Sequence, residues 1–484
     1  MSEIKSLEPK SLWNNFDMIC SIAHPSKKES KLVEALVEFA TRHNLEHTID
    51  KIGNVIIRKP ASKGMENLKG VVLQAHIDMV PQKNADTKHD FETDPILPWI
   101  DNGWVRAKGT TLGADNGIGV AAILAVLEDK DAIHGPIEAL LTIDEETGMT
   151  GAFGLEAGVL KGDILLNLDS ETEGELYVGC AGGIDGTFVF EYKKENTPVG
   201  LSGFALNVTG LKGGHSGMDI ILGRANANKV LFRLFKALEK VNIRISEING
   251  GSLRNAIPRE AFSTVAIPTD KVTEAKAIVE ELAKEVKNEY SLVEPSFEIS
   301  FNATALHPNV IDLDTQSRLI NAVYACPNGV MRMSDSMENL TETSTNLAIV
   351  KSDDKTISIS CLLRSSVDSA KMDLAQMMLS VFTLAGAKSN FEGGYPGWKP
   401  NMESPILKSM QETYNKLYGT TPKIMAIHAG LECGLLGGVY PNWDMISFGP
   451  TIMNPHSPDE RVNIDSVKKF WDYLLETLKN IPKK

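Results

Sequence analysis

Three consecutive carboxylates follow an apolar run in the stretch LTIDEETGMTG, where Asp144, Glu145 and Glu146 come directly after residues 137–143. The apolar run predicts a buried strand, and the glycines behind the acids predict a turn. Two adjacent side chains cannot point the same way from a regular strand. At the strand end one glutamate can therefore bind a metal ion while its neighbour faces the opening, an arrangement that suits hydrolysis.

Other carboxylate and imidazole groups follow further predicted strands or stand in turns. They are His76, Asp78, Asp115, Asp169 and, in the C-terminal motif NPHSPDER, His456. In an open α/β sheet, ligands bind outside the carboxyl ends of the strands. Carboxylates that converge there repel one another unless cations neutralise them. Histidine and carboxylate ligands without thiolates suit zinc, manganese or cobalt, and this set is large enough for two metal ions bridged by a shared carboxylate.

We assign Glu146 to a metal ion and Glu145 to the general base that takes a proton from the attacking water molecule. Asp78 could accept a hydrogen bond from the free ring nitrogen of His76 and hold its tautomer. Any one of these acids alone is better explained as a helix cap or a surface charge. The prediction of metal-dependent amide hydrolysis therefore rests on the whole set.

The segments that must position these residues show two different sequence patterns. Apolar runs of strand length alternate with helical periodicity up to about residue 180, which predicts βαβ units. Beyond it, short segments of strand-like alternation are mixed with helical segments, which is an α+β pattern. The first pattern returns near residue 401. We therefore predict an α/β catalytic domain with a largely parallel central sheet flanked by helices, residues 1–186 and 399–484, interrupted by an inserted α+β lid domain, residues 187–398.

Composition narrows the class of protein. The 484 residues carry a net charge of −14 without a basic block, which argues against nucleic acid as a partner. The five cysteines are scattered and form no CxxC pair, so they are read as buried small hydrophobes in a reducing compartment. The N-terminus lacks a signal-peptide pattern, and the most apolar stretch, residues 118–127, is too short to span a bilayer. We expect a soluble cytoplasmic protein without a membrane partner.

Several motifs together resemble a known family. The segments AHIDMV, GADNGIGVA, DEETGMTGA, NLDSE and PHSPDER, in this order and spacing, are similar to those of the M20 metallopeptidases. Within that family, the segments SETEGELYVGCAGG, GLKGGHSGMDI, GRANA and HAGLECGLL resemble the aminoacyl-histidine dipeptidases of the M20C branch. The resemblance covers nearly the whole chain.

The resemblance implies a role for each metal ligand. His76 and Asp169 would hold one zinc ion, Glu146 and His456 the second, and Asp115 would bridge the two, with manganese or cobalt as alternatives to zinc. Glu145 would be the base, which agrees with the assignment made from the residues alone. The family further implies a homodimer formed through the lid domain.

Roles on the lid and near the substrate are also implied. His215 would stabilise the oxyanion, commonly in the partner subunit's site. Asn255 and Arg364 would contact the dipeptide substrate, the arginine by gripping its terminal carboxylate, although an arginine on a lid strand is equally well explained as a surface charge. Glu432 could receive the free amine, although an acid at a helix start has an equally good structural explanation. His134 is read as a surface residue, and His428 has no assigned role.

The expected activity is metal-dependent hydrolysis of unblocked dipeptides, preferentially those with a C-terminal histidine, including the β-alanyl-histidine type. Two alternatives stay open within the superfamily, a tripeptide aminopeptidase and an N-acyl amino-acid deacylase. A catalytically silent binding protein on a peptidase fold is a more remote reading, because such a protein would have lost ligands or the base.

Overall fold

Helices and strands alternate along the chain of this computed structural model, which describes residues 2–484. The α-helices are α1 Lys10–Cys20, α2 Ser30–Arg42, α3 Ala114–Glu128, α4 Glu145–Gly148, α5 Thr150–Gly154, α6 Ala227–Leu238, α7 Val272–Glu289, α8 Leu313–Ala325, α9 Asp368–Leu384, α10 Pro405–Tyr418, α11 Glu432–Val439 and α12 Ile464–Lys479. Short 3₁₀ turns occur at Glu3–Ser6, Ile220–Leu222, Glu239–Val241 and Thr269–Lys271.

The strands up to the middle of the chain are β1 Glu46–Ile49, β2 Val55–Lys59, β3 Val71–His76, β4 Pro98–Asp101, β5 Trp104–Ala107, β6 Ile137–Thr142, β7 Ile164–Asn167, β8 Glu175–Cys180, β9 Gly182–Glu191, β10 Lys194–Asn196, β11 Leu201–Thr209 and β12 Gly214–His215. The later strands are β13 Arg244–Gly250, β14 Ala256–Ile257, β15 Ala261–Pro268, β16 Glu298–Ala303, β17 Asn309–Ile311, β18 Gly329–Met333, β19 Thr341–Ser352, β20 Thr356–Ser365, β21 Lys388–Tyr395, β22 Lys423–Ile427, β23 Asp444–Ser447, β24 Ile452–Met453 and β25 Arg461–Asn463.

The chain divides into two units. The first runs to Gly179 and resumes with Pro400–Ala426 and Leu431–Lys484, and the second comprises Cys180–Lys399 with Ile427–Gly430. The N-terminal border lies before the predicted one at 186/187, because β9 already belongs to the sheet of the second unit. The segment 427–430, predicted as catalytic domain, groups with the second unit because the amide of Ala181 donates to the carbonyls of Ile427 and Ala429.

The first unit is built on a sheet with strand order β1-β2-β6-β3-β7-β23-β8-β22. The four central strands, β6, β3, β7 and β23, run parallel, while β1, β2 and β8 pair antiparallel with their neighbours. Every residue of β3, β6 and β7 is buried, which explains why these strands read as continuous apolar runs. The predicted parallel sheet is therefore found in the centre of this unit. A smaller antiparallel sheet has the order β24-β25-β5-β4.

Local signals explain where the helices of the first unit begin and end. Helix α10 starts with Pro405 in its first turn, and Ser404 accepts a hydrogen bond from the Leu407 amide at 3.0 Å. Gly419 ends it in the left-handed conformation, φ 69°. Helix α2 buries Leu32, Leu36 and the side chains one turn further on, so its periodicity places one face on the core.

The second unit is an antiparallel sheet with helices packed on it, as predicted for the α+β insertion. The strand order is β16-β11-β15-β13-β19-β20-β9-β21, and β18 also pairs with β19. Its core contains Phe188 and Phe382, whose ring centroids lie 3.8 Å apart in a stacked arrangement. Burial of such aromatic pairs is a major source of stability.

Three predictions outside the site can be compared with the structure. All five cysteines are buried, as predicted. The prediction for His134 is wrong, since this residue is buried and its backbone N–H and carbonyl both bond the hydroxyl of Ser62. Within residues 2–484, no helix combines the length and the apolar character needed to cross a membrane.

Candidate metal centre

The candidate ligands stand at the same edge of the parallel sheet. β3 ends at His76, β6 is followed by Glu145 and Glu146 at the start of α4, and β7 is followed by Asp169. Because β3, β6 and β7 are parallel, their carboxyl ends meet at this edge. Asp115 lies at the start of α3, and His456 lies in the loop between β24 and β25; these two complete the cluster.

Asp115 lies between the two histidines. Its Oδ1 is 3.2 Å from Nε2 of His76, and its Oδ2 is 3.1 Å from Nε2 of His456. Nε2 of His76 is also 3.4 Å from Oδ1 of Asp169, and Nε2 of His456 is 3.0 Å from Oε1 of Glu146. Each oxygen of Asp115 thus faces a different histidine–carboxylate pair.

These separations fit two metal ions. Ligand atoms bound tetrahedrally at the usual zinc distances lie about 3.3 Å from one another, close to the four distances above. Two triads, His76–Asp115–Asp169 and Asp115–Glu146–His456, each bring one ligand atom per residue within 4.8 Å of the others. Asp115 is common to both triads. The donor set therefore fits a dinuclear centre bridged by Asp115.

The electrostatics of the cluster call for added positive charge. Burial raises the pKa of Asp169 to about 6. Hydrogen bonds from His456 and His76 outweigh burial at Asp115 and hold its pKa below the ordinary range. The same contacts with Asp115 and Glu146 raise the pKa of His456 to about 11. Burial alone would lower the pKa of His76, but the charge of Asp169 and the contact with Asp115 raise it well above the ordinary value. The carboxylates thus favour positive charge on both histidines, and divalent cations would supply that charge instead.

Glu145 lies beside the two triads and belongs to neither. Asp144, the residue before it, has a left-handed backbone, φ 51°, so the chain turns sharply between strand and helix. Glu146 faces His456 at 3.0 Å, and ligand atoms of Glu145, Glu146 and His76 lie within 4.8 Å of one another. Burial, reinforced by the charges of Asp169, Glu432 and Glu146, raises the pKa of Glu145 well above the ordinary value. A carboxylate with a raised proton affinity next to a hydrolytic site suits a general base.

Asp78 lies behind His76 and is only 2 % exposed. Its Oδ1 is 3.3 Å from Nδ1 of His76 and accepts from the Glu145 amide at 2.9 Å. Its Oδ2 accepts from the hydroxyl of Ser26 at 2.7 Å and from the Glu146 amide at 3.3 Å. Burial would raise the pKa of Asp78, but the bonds from His76 and Ser26 lower it to about 2. Asp78 therefore orients a candidate ligand together with residues 144–146, the candidate catalytic turn, and Ser26 is a support that the sequence did not indicate.

In the second unit, two predicted residues, His215 and Asn255, lie at the same short pair of antiparallel strands. His215 in β12 pairs with Ala256 in β14, and the Asn255 carbonyl accepts from the Ser216 amide at 2.8 Å. Nδ1 of His215 accepts from the amides of Gly217 and Met218. The ring hydrogen must then sit on Nε2, which leaves His215 with a donor for an anionic oxygen. The Asn255 side chain is exposed.

Arg364 is buried within this unit, only 6 % exposed, and is not the surface charge that a lid-strand arginine could have been. One guanidinium nitrogen donates to the hydroxyl of Tyr395 at 3.1 Å, while Nε has no hydrogen-bond partner among the described residues. His428, for which no role was predicted, has its Nε2 2.7 Å from the Ser344 hydroxyl. Burial and the charges of Arg364 and His215 lower the pKa of His428 to about 3. The buried polar run TETSTN in β19, which includes Ser344, was the sequence signal for this buried polar cluster.

Glu432 begins α11 and is fully buried. Its Oε2 accepts from the Gln74 amide group at 2.6 Å and from the Thr142 hydroxyl at 3.0 Å, while Oε1 has no hydrogen-bond partner among residues 2–484. Burial raises the pKa of Glu432 to about 8. The residue thus ties α11 to the ends of β3 and β6, next to the catalytic turn.

Comparison with known proteins identifies the family. The model of peptidase family M20/M25/M40 matches residues 72–480. A cytosol non-specific dipeptidase from Escherichia coli (strain K12) is 50% identical over 485 residues, which cover 100% of both chains. The crystal structure of an aminoacylhistidine dipeptidase from Vibrio alginolyticus has 54% sequence identity and a TM-score of 0.96, covering 100% of this chain and 99% of that one.

More distant structures share the fold. A tripeptidase from Staphylococcus aureus is 17% identical, with a TM-score of 0.56 and coverage of 98% of this chain and 99% of that chain. The family that the sequence motifs indicated is confirmed by the match to its model and by the two close relatives. The chain belongs to the peptidase family M20/M25/M40.

Proposed function

We propose that this protein is a metal-dependent dipeptidase that cleaves the peptide bond of unblocked dipeptides, preferentially those with a C-terminal histidine. The observation that carries the proposal is the position of Asp115, whose two oxygens face His76 and His456 separately, while Glu145 lies beside the two triads that share Asp115 and belongs to neither. The names of two close relatives, a dipeptidase and an aminoacylhistidine dipeptidase, support the substrate class.

The residues of this chain divide the work of the reaction. Two divalent ions held by His76, Asp169, Asp115, Glu146 and His456 would polarise the scissile carbonyl and lower the pKa of a water molecule. Glu145 removes the proton from the attacking water and delivers it to the leaving amine. His215, protonated on Nε2, donates to the oxyanion of the tetrahedral intermediate. We propose zinc as the native metal, with manganese and cobalt as ions that this donor set also accepts.

For Glu432 we favour the structural role over contact with the substrate amine. Both bonds of its Oε2 go to protein groups, and the residue is fully buried. Its carboxyl group lies close enough to Glu145 to help raise the pKa of that residue. Glu432 therefore supports the ends of β3 and β6 next to the proposed base.

Arg364 provides a testable substrate contact. We expect Arg364→Met to lower kcat/KM for dipeptides about 10–100-fold, mainly through KM, because a charge-assisted hydrogen bond to the substrate carboxylate is lost. The measurement is a double comparison of the free-acid dipeptide with its C-terminal amide, using the unaltered protein and the variant. If Arg364 grips the carboxylate, kcat/KM of the unaltered enzyme should be clearly lower for the amide than for the free acid. In the variant, the two substrates should differ little.

A matched control for this experiment is Arg332→Met on strand β18, which pairs with β19 in the same sheet. The Arg332 side chain is 56% exposed and pairs with Asp335 and Glu342. This variant should leave kcat/KM for both substrates unchanged. If the ratio of kcat/KM for the free acid to that for the amide is the same in the unaltered and Arg364→Met enzymes, Arg364 does not contact the carboxylate.

The proposed function itself is tested by histidine release from alanyl-histidine and β-alanyl-histidine. Zinc-loaded protein should release histidine, chelator-stripped protein should release none, and added zinc should restore the activity. N-acetyl-alanyl-histidine should resist cleavage because its amine is blocked. Release from the acetylated substrate alone would favour a deacylase, and no release by protein verified to hold zinc would contradict the proposed substrate class.

We further propose that the protein is a homodimer formed through the second unit and that it works in the cytoplasm. The homodimer is implied by the resemblance of the sequence to the M20 family. A cytoplasmic location is supported by the name of the Escherichia coli relative, a cytosol dipeptidase.

A further inference from the structure

Glu460 binds four consecutive backbone amides with a single carboxylate. Its Oε2 accepts from Leu112 and Gly113 at 2.7 and 3.0 Å, and its Oε1 accepts from Ala114 and Asp115 at 2.8 and 3.2 Å. The residue is only 2 % exposed. Backbone N–H groups at the start of a helix have no partner within the helix. One side chain thus accepts hydrogen bonds from all four backbone N–H groups of the turn that leads into α3.

This turn needs an external support because it carries Asp115 in a backbone conformation outside the helix. Asp115 has φ −84° and ψ 107°, and the next residue is also non-helical. Gly113 before it has a left-handed backbone, φ 72°. The regular hydrogen bonds of α3 therefore do not fix the position of Asp115. The bond from its amide to Glu460 does.

Glu460 belongs to the loop that also carries His456. The loop connects β24 with β25, and the Glu460 amide closes a turn onto the Ser457 carbonyl at 2.9 Å. His456 has a left-handed backbone, φ 57°, a conformation that a non-glycine residue keeps only when the surrounding structure holds it. One short loop therefore presents His456 and clamps the backbone of Asp115, its neighbour at 3.1 Å.

We propose that Glu460 is a positioning residue for the metal centre, which sets the relation between Asp115 and His456 and thereby the metal affinity of the pair. The inference rests on the proposed two-metal function. It concerns a residue of the PHSPDER motif to which the sequence analysis gave no role. A role restricted to stabilising the start of α3 would change the stability of the protein and leave the metal affinity of the folded protein as it is.

The experiment is a zinc titration of metal-free Glu460→Gln followed by calorimetry. The substitution keeps the shape but turns one acceptor oxygen into an NH₂ group that faces two N–H donors. We expect zinc affinity to fall about 10–100-fold, as it does when other supports of metal ligands are lost. After zinc loading, kcat should fall while KM stays unchanged, and the absorption spectrum of the Co²⁺-substituted protein should differ from that of the unaltered protein.

The matched control is Glu138→Gln in the same unit. Glu138 is 7% exposed and accepts from the amides of Lys161 and Gly162, and it lies in β6 near the end opposite the catalytic turn. This variant should unfold at a lower temperature than the unaltered protein but bind zinc equally well. Glu460→Asp, which keeps the charge on a shorter side chain, takes the place of Glu460→Gln if the latter does not fold.

The outcomes separate this inference from the proposed function. Zinc binding and a Co²⁺ spectrum identical to those of the unaltered protein in a folded Glu460 variant would overturn the inference and leave the metal centre standing. Equal losses of zinc affinity in the Glu460 and Glu138 variants would overturn it as well, since the effect would then be general destabilisation. Failure of the unaltered protein to bind zinc would instead contradict the proposed function.

Discussion

Glu145→Gln should bind its metal ions and fold as the unaltered protein does, yet hydrolyse dipeptides about 10²–10⁴-fold more slowly. This factor is what a positioned general base contributes. The amide keeps the size of the side chain but cannot accept a proton from water. Since Glu145 lies outside both ligand triads that share Asp115, its replacement leaves every proposed ligand in place. The measurements are kcat for alanyl-histidine, zinc content and the melting temperature.

The neighbouring residue provides the contrast for this experiment. Glu146 lies 3.0 Å from Nε2 of His456 in the second triad. Glu146→Gln should therefore lose metal as well as activity, and excess zinc should restore part of the activity. Excess zinc should not restore Glu145→Gln. A Glu145→Gln enzyme with nearly normal kcat would show that another group is the base.

Asp115→Asn should weaken the binding of both metal ions. An amide offers one neutral oxygen, and its NH₂ group cannot act as a ligand. The side chain can therefore no longer bind the ion of the His76 triad and the ion of the His456 triad at once. The loss of zinc affinity should exceed the about 10–100-fold effect of removing an outer support, because a ligand is lost directly. Zinc content after dialysis against zinc buffers of defined concentration measures the effect.

Asp169→Asn is the matched variant for this prediction. Asp169 belongs to the triad with His76 and is absent from the triad with His456. Its replacement should lower the affinity for one ion and leave about one tightly bound ion per chain. Retention of two tightly bound ions in Asp115→Asn would show that Asp115 does not bridge the centre.

The positions of the main candidate ligands could be read from the sequence. Apolar runs ending in His76, in Glu145 and Glu146, and in Asp169 predicted buried strands, and parallel strands bring their carboxyl ends to one edge. Local periodicity and turn residues carry this information because a strand buried on both faces is nearly continuously apolar. The ordered motifs indicated the family for a related reason, since they lie at strand ends and in turns such as the one that leads into α3.

What the sequence by itself determined was therefore the type of fold and the family, together with a set of candidate ligands; only the tertiary structure decided how these groups are paired and supported. Glu460 and Asp115 are separated by 345 residues, and Gln74 and Glu432 by 358. No local pattern encodes such contacts, because they form only when distant segments pack together. Burial is decided in the same way, as His134 and Arg364 demonstrate. Side-chain type predicts exposure only on average, whereas the actual burial depends on what the fold places around the residue.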